Sequence, residues 1–223
     1  WDGEPEFQTM HTTRYDTVIG DLAGRGLVYE CYCSRRDILQ APRAPHAPEG
    51  AYPGTCRNLT DALRTERRAT GRPPALRLRS EVSEYTVTDL LHGGYTGVVD
   101  DFVLRRGDGV AAYNLAVVVD DADQGVDQIV RGDDLVHTTP RQVLLQQLLD
   151  LPTPGYVHVP LVYGPDGERL AKRHGAITLR AQLRAGASVA APVLDNDVSP
   201  AGDRLTLLND LSSTDTPGQL AVV

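Results

Sequence analysis

The order of elements along the chain predicts an α/β fold of the nucleotide-binding kind. Two stretches rich in β-branched and apolar residues, Val110 to Asp121 and Gln128 to Arg131, are followed by His137-Thr138-Thr139-Pro140, a helix-opening pattern. Strand, strand and helix in that order make one half of an open, mostly parallel sheet with covering helices. At 223 residues and 41% hydrophobic the chain can bury a true core, as one domain or one domain with an insertion.

Each element has its own reason. From Thr12 to Gly26 the residues Tyr15, Val18, Ile19, Leu22 and Ala23 recur at the spacing of one helix face, and Gly26 is placed to end it. Residues 41–55 hold Pro42, Pro45, Pro48 and Pro53 among glycines and alanines and read as an irregular loop. A second helix is expected over Thr60 to Thr70, before the Gly71-Arg72-Pro73-Pro74 break. Ala75 to Val87 alternates in places and reads as short strands. Val110 to Asp121 is too β-branched and apolar for a surface strand, so a strand buried in the sheet is expected. Thr139 can cap, and Pro140 can take the first position of, a helix running to about Leu149. Beyond Ala185 the pattern is weak.

Charge and composition narrow the function. A net charge of -8 argues against indiscriminate coating of nucleic acid but leaves room for a local basic face. No run approaches the roughly 18 apolar residues of a membrane helix, and no basic-then-apolar leader opens the sequence, so a cytoplasmic, non-membrane protein is expected. The chain opens on Trp1, and its only methionine is Met10, so further residues upstream are expected.

Three groups of residues can carry chemistry. Cys31-x-Cys33 and Cys56 cannot all pair off, and without a secretory leader a disulfide framework is not expected, but they suit Zn²⁺, which takes thiolates plus one further ligand in a closed structural site. The fourth ligand is His46 by softness or Tyr52 by proximity to Cys56, and three buried thiols without metal are the plain alternative. Arg131 sits where a strand should end, the place where open α/β sheets bind ligands, and its guanidinium can clamp a carboxylate; pairing with Asp133 is the alternative. Lys172 is the one lysine beside twenty-one arginines. It stands between the turn Gly164-Pro165-Asp166-Gly167 and Gly175, where a compact ammonium on a mobile loop can follow charge on a polyphosphate. Leu91-His92-Gly93-Gly94 looks like a phosphate-binding signature, but no helix start follows to supply amides, so it is set aside.

In combination, WDGEP (1–5), CYCSR (31–35), YPGTC (52–56), residues 101–121, IVRGDDL (129–135) before TPRQ, and RLAKRHGA (169–176) resemble the catalytic half of the class I glutamyl-tRNA synthetases. The resemblance is strongest to their short paralogue family, which lacks an anticodon-binding domain, and it covers about residues 1–183. It implies a Rossmann-like catalytic core with an inserted zinc-knuckle subdomain. The segments would be 1–30 in the core, 31–100 the insertion and connection, 101–185 the second core half with the signature loop, and 186–223 a tail.

The same resemblance implies zinc ligands Cys31, Cys33, Tyr52 and Cys56, displacing His46. It implies glutamate contacts from Tyr113 and Arg131, and a Lys-Met-Ser-Lys-Ser-like loop at residues 169–173 whose Lys172 binds ATP and serves catalysis. Arg169 and Ala171 depart from that signature. Members of the family begin with a strand and a His-Ile-Gly-His-like helix start ahead of WDGEP, and neither is in this sequence. The implied activity is Mg²⁺- and ATP-dependent activation of L-glutamate by a monomer, with transfer to the queuosine base in the anticodon of tRNA(Asp). The alternatives are a shortened synthetase charging tRNA(Glu) and a non-catalytic glutamate- or tRNA-binding remnant.

Overall fold

The computed structural model describes residues 4–41, 51–163 and 169. The chain divides into two units, Trp1–Pro160 and Leu161–Val223. Of the second unit, Tyr163 and Arg169 form an antiparallel bridge. All elements below belong to the first.

The expected helix α1 spans Thr12–Gly24 and buries Tyr15, Val18, Ile19 and Leu22, the stripe its spacing dictates. Gly26 follows at φ 75°, a left-handed position that glycine occupies without steric cost. Strand β1, Val28–Cys31, leads into a short helix α2, Arg35–Gln40, which opens on a complete capping box between Ser34 and Asp37. Helix α3, Asp61–Ala69, is capped by the Thr60 side chain and carries Arg67 and Arg68 in its last turn, where cations favour the helix dipole.

The stretch expected to hold short strands yields β2, Ala75–Leu78, and β3, Glu84–Asp89. Strand β4, Gly93–Val98, pairs antiparallel with β3 in a hairpin whose tip contains Leu91 and His92, so the set-aside phosphate motif is a turn. Strand β5, Val103–Arg105, pairs with β2, and β2 pairs with β1, giving a three-stranded antiparallel sheet.

Residues expected as a buried strand form instead the helix α4, Tyr113–Asp123. Its inward residues Leu115, Ala116, Val118 and Val119 fall at helical spacing, while Asn114, Asp121 and Asp123 occupy other faces. Packing of that face against α1 and the following helix outweighs the β preference of three consecutive valines, a preference worth at most about 1 kcal/mol per residue. The next expected strand is present as β6, Gln128–Gly132. Helix α5 spans Thr139–Leu148 with Thr138 at the N-cap. Thr139 therefore lies inside the first turn rather than capping it, and its hydroxyl is free to accept from a distant side chain. Strand β7, Gly155–Val159, runs parallel between β6 and β3, so the second sheet has the order β4-β3-β7-β6. Its parallel half has the expected character; its hairpin half is antiparallel. At Gly97 a Cβ would meet the Pro140 ring at 2.8 Å, which lets β4 lie close against the start of α5.

The core gathers α1, β5, α4 and α5 around Leu22, Leu78, Leu104, Leu115 and Leu145, each fully buried. Among the described residues no helix is long and apolar enough to cross a membrane. At the edge of this core His11 donates to Asp120 at 2.9 Å, and the Tyr15 hydroxyl donates to the same carboxylate.

Leu115→Ala should cost about 2–5 kcal/mol of unfolding free energy, because a buried leucine is replaced by a void, and a denaturant titration measures it. The hydrogen bond to Asp120 raises the His11 pKa above its ordinary 6.5, with burial opposing. The stability that His11 contributes is therefore complete below pH 6.5 and is lost as pH rises through the raised value. The stability difference between wild type and His11→Gln should shrink across that window, and one that grows with pH would contradict the pair.

Candidate functional site

Two clusters in the first unit have the composition of functional sites. The first lies between the end of β1 and the loop before α3. The Sγ atoms of Cys31, Cys33 and Cys56 all lie within 4.8 Å of one another. Cys33 and Cys56 sulfurs are 3.6 Å apart, the Tyr52 hydroxyl oxygen is 3.4 Å from Cys31 Sγ, and the Cys56 amide donates to that oxygen at 2.7 Å. The four residues expected as ligands thus converge from Cys31 to Cys56, while His46 falls outside the described residues. Cys31, Tyr52 and Cys56 are buried together with Cys33, Ile38 and Leu59 packed around them.

The charge balance of this cluster is unusual. A hydrogen bond from Cys56, with further help from Tyr52 and the Arg77 guanidinium, brings the Cys31 thiol down to about 4 against the opposing effect of burial. Donation to Cys31, then burial, push the Cys56 thiol up; burial first and the Cys31 charge second push up Cys33. Negative charge is thus favoured on Cys31 over Cys33 and Cys56. The Arg77 guanidinium lies 3.7 Å from the Tyr52 ring centroid and is buried. It donates one hydrogen bond to the Asp101 carbonyl, and its Nε has no partner. Cys31 and Cys33 also edge an open recess of 440 Å³ that Arg72 and Arg106 help to line.

The second cluster stands at the carboxyl ends of the parallel strands β6 and β7. Arg131, in β6, donates through Nε to His158 Nε2 at 3.0 Å and through NH2 to the Thr139 hydroxyl at 2.8 Å, with Thr138 farther off at 3.5 Å. Its partners are these rather than the neighbouring Asp133. His158, in β7, is completely buried, and its Nδ1 lies 2.6 Å from the Asp89 carboxylate at the end of β3. Asp89 also accepts from the amides of Leu91, His92 and His158. Burial would raise the Asp89 pKa, but the bonds from His158 and from the His92 and Leu91 amides together hold it below the usual carboxylate range. Tyr156, next to His158 on the inward face of β7, lies beneath Arg131, 5.3 Å from its guanidinium carbon to the ring centroid.

Tyr113 is not in a core strand. It begins α4 and is 51% exposed. It and Arg131 are both near enough to Tyr156 to act on its hydroxyl. Lys172 and the turn before it lie outside the described residues, as does the tail. Asp89, His158 and Arg77 were missed in sequence; the one available sign was a histidine at the buried phase of the alternating segment Tyr156-Val157-His158-Val159.

Comparison with known proteins fits this geometry. Residues 1–192 match the family model for the catalytic domain of the class I tRNA synthetases (E and Q). The glutamyl-Q tRNA(Asp) synthetase of Nocardia farcinica is 64% identical over 188 residues, 84% of this chain and 60% of its own length. That of Symbiobacterium thermophilum is 47% identical over 190 residues, 82% and 59% of the two lengths. A glutamate–tRNA ligase of Acidithiobacillus ferrooxidans is 38% identical over 185 residues, 80% of this chain and 38% of its own. The crystal structure of a glutamate tRNA ligase from Elizabethkingia meningosepticum shares the fold at a TM-score of 0.62 and 20% identity, over 91% of this chain and 42% of that one. The chain spans about 60% of the length of these curated glutamyl-Q relatives. By motif order, mixed α/β architecture and identity along most of its length, the chain belongs to the class I tRNA synthetases of the E and Q group.

Proposed function

We propose that the intact protein activates L-glutamate with ATP and Mg²⁺ to glutamyl-adenylate and transfers the glutamyl group to the queuosine base in the anticodon of tRNA(Asp). The observation that carries the reading is Arg131. Its Nε and NH2 are spent on His158 and Thr139, with Thr138 at the long distance of 3.5 Å from NH2, and NH1 has no hydrogen-bond partner among the described residues. NH1 with the outer edge of NH2 is the fork that matches a carboxylate with two parallel hydrogen bonds. Tyr113, at the start of α4, is assigned to the amino acid as well. Lys172 is the cation that follows charge onto the departing pyrophosphate. The chemistry needs no covalent enzyme intermediate; it rests on positioning and on neutralising phosphate charge. The acceptor assignment is supported by the names of relatives 64% and 47% identical, both glutamyl-Q tRNA(Asp) synthetases.

The cysteine cluster is proposed as a structural zinc site. A tetrahedral zinc about 2.3 Å from each sulfur needs sulfurs about 3.8 Å apart and a phenolate oxygen slightly nearer, and the 3.6 Å and 3.4 Å separations fit that demand. Three thiolates and a phenolate leave an excess of negative charge around a dication, and the buried Arg77 stands where that excess requires a counterion. Zinc would tie down residues 31–56 and take no part in the reaction.

Two measurements test these readings. Pyrophosphate exchange with glutamate and ATP should proceed without tRNA, and labelled glutamate should then appear in the anticodon of tRNA(Asp). Exchange only with tRNA(Glu) and labelling of its 3′ end would favour the ordinary synthetase. Metal analysis should return about one zinc per chain. Tyr52→Phe should weaken zinc retention against a chelator by about ten-fold or more, whereas a fully folded, metal-free protein would defeat the site.

A further inference from the structure

The geometry points to Asp89 and His158 as positioning residues that fix the Arg131 guanidinium for its ligand through a tautomer-locked imidazole. The inference rests on the reading of Arg131 as the carboxylate-binding group and deepens it. Arginine Nε carries a hydrogen and can only donate, so the His158 Nε2 atom 3.0 Å away must accept. The proton of a neutral imidazole then resides on Nδ1, where it is donated to Asp89 at 2.6 Å. One arrangement of protons satisfies both contacts, and the other sets N–H against N–H at Arg131.

Burial makes this choice consequential. His158 and Asp89 side chains are 0% and 1% exposed, so no water can substitute for a lost partner. The carboxylate itself is fixed by three backbone amides, on Leu91 and His92 of the hairpin and on His158. The His158 carbonyl in turn accepts from His92 Nε2 at 2.8 Å. Thr139 closes the arrangement, accepting from Arg131 NH2 and lying 3.2 Å from His158 Nε2. The guanidinium is thus gripped along one edge by two uncharged acceptors, and its end-on fork is left for the ligand with its full positive charge. A histidine, not an acid, stands next to the arginine, so the side chain is oriented without being neutralised.

Asp89→Asn is the sharpest test because it preserves shape. An asparagine whose oxygen keeps the Leu91 and His92 amides must turn its NH2 toward His158 Nδ1, which forces the imidazole proton onto Nε2 and against Arg131. In the intact protein, the KM for glutamate in pyrophosphate exchange should rise about ten-fold or more, the size expected from losing one charge-assisted hydrogen bond, with the KM for ATP within two-fold of wild type. His158→Phe should show the same split, and His158→Gln, whose carbonyl can reach the Nε2 position, should recover part of the loss. Nitrogen NMR of histidine-labelled wild type should find His158 protonated on Nδ1, a readout that stands even where a variant does not fold. The inference is overturned if that proton is on Nε2. It is also overturned if Asp89→Asn and His158→Phe lower the melting temperature but leave the glutamate KM within two-fold, or if the KM for ATP rises in parallel. Arg131→Lys separates the two levels: an unchanged glutamate KM there removes the carboxylate role of Arg131 itself, whereas a raised KM there with no effect from Asp89 or His158 removes only the positioning role.

Discussion

The fold and its candidate metal knuckle are joined through two adjacent carboxylates, the partly buried Asp100 and the buried Asp101. Asp101 accepts from the Tyr29 hydroxyl at 2.6 Å, the Ser80 amide at 2.8 Å and the Arg57 guanidinium, while its carbonyl accepts from Arg77. Asp100 accepts from the Tyr52 amide at 2.9 Å and from Arg141 of α5 at 2.7 Å. An unpaired buried carboxylate costs several kcal/mol, so donors from β1, from residues 52–57, from β2 and from α5 are held to this dipeptide. Without it, the cysteine-bearing segment would have little reason to lie where it does, since its own apolar cluster is small. Burial follows the same division: the leucine and valine core stabilises α1, α4 and α5, whereas the knuckle depends on polar anchoring and on whatever its thiols hold.

Arginine serves three different ends in this chain, and exposure separates them. Arg14, Arg68 and Arg105 make surface pairs with Asp123, Glu30 and Asp16, contacts each worth at most about 1 kcal/mol in water. Arg57 and Arg141 satisfy the acid dipeptide from the side. Arg77 and Arg131 differ from all of these. Neither has a carboxylate partner, and each stacks over a tyrosine, Tyr52 or Tyr156. A cation held by ring faces and neutral acceptors keeps its charge for another negative group; Arg79, over Tyr29 and bonded to Asn58 and the Arg57 carbonyl, is held in the same way at the surface, whereas Arg77 and Arg131 stand in the two clusters with chemical potential.

Much of this was legible in sequence, and the failures have physical reasons. Helices α1 and α3 were legible because their spacing, caps and stops agree, and Arg131 because strand ends in α/β sheets are where ligands meet the protein. Cys31, Cys33, Tyr52 and Cys56 do come together in the described structure. Helix α4 was misread because local propensity favours extended backbone for Val117-Val118-Val119, and only packing against α1 and α5 reverses it. With that error Tyr113 was put in a strand interior instead of at an exposed helix start. Asp89 and His158 gave almost no signal, since they are 69 residues apart and their meaning arises from a parallel pairing of β3 with β7. His46 and Lys172 lie where nothing is described.

That pairing raises the question of why an imidazole should stand between Asp89 and Arg131 at all. A direct carboxylate–guanidinium contact would orient the arginine equally well and is far commoner. Its cost is electrostatic: at about 4 Å and an effective dielectric near 20, the attraction is about 4 kcal/mol, and an incoming carboxylate would have to compete with it. Moving the fixed acid one ring farther away weakens that competition, while the chain of hydrogen bonds preserves the direction in which the guanidinium points. The acid is then left to act on the imidazole, where three backbone amides keep it ionised. A donor-only fork prepared in this way favours a ligand group that only accepts, a carboxylate, over an amide, whose NH2 would face it donor to donor.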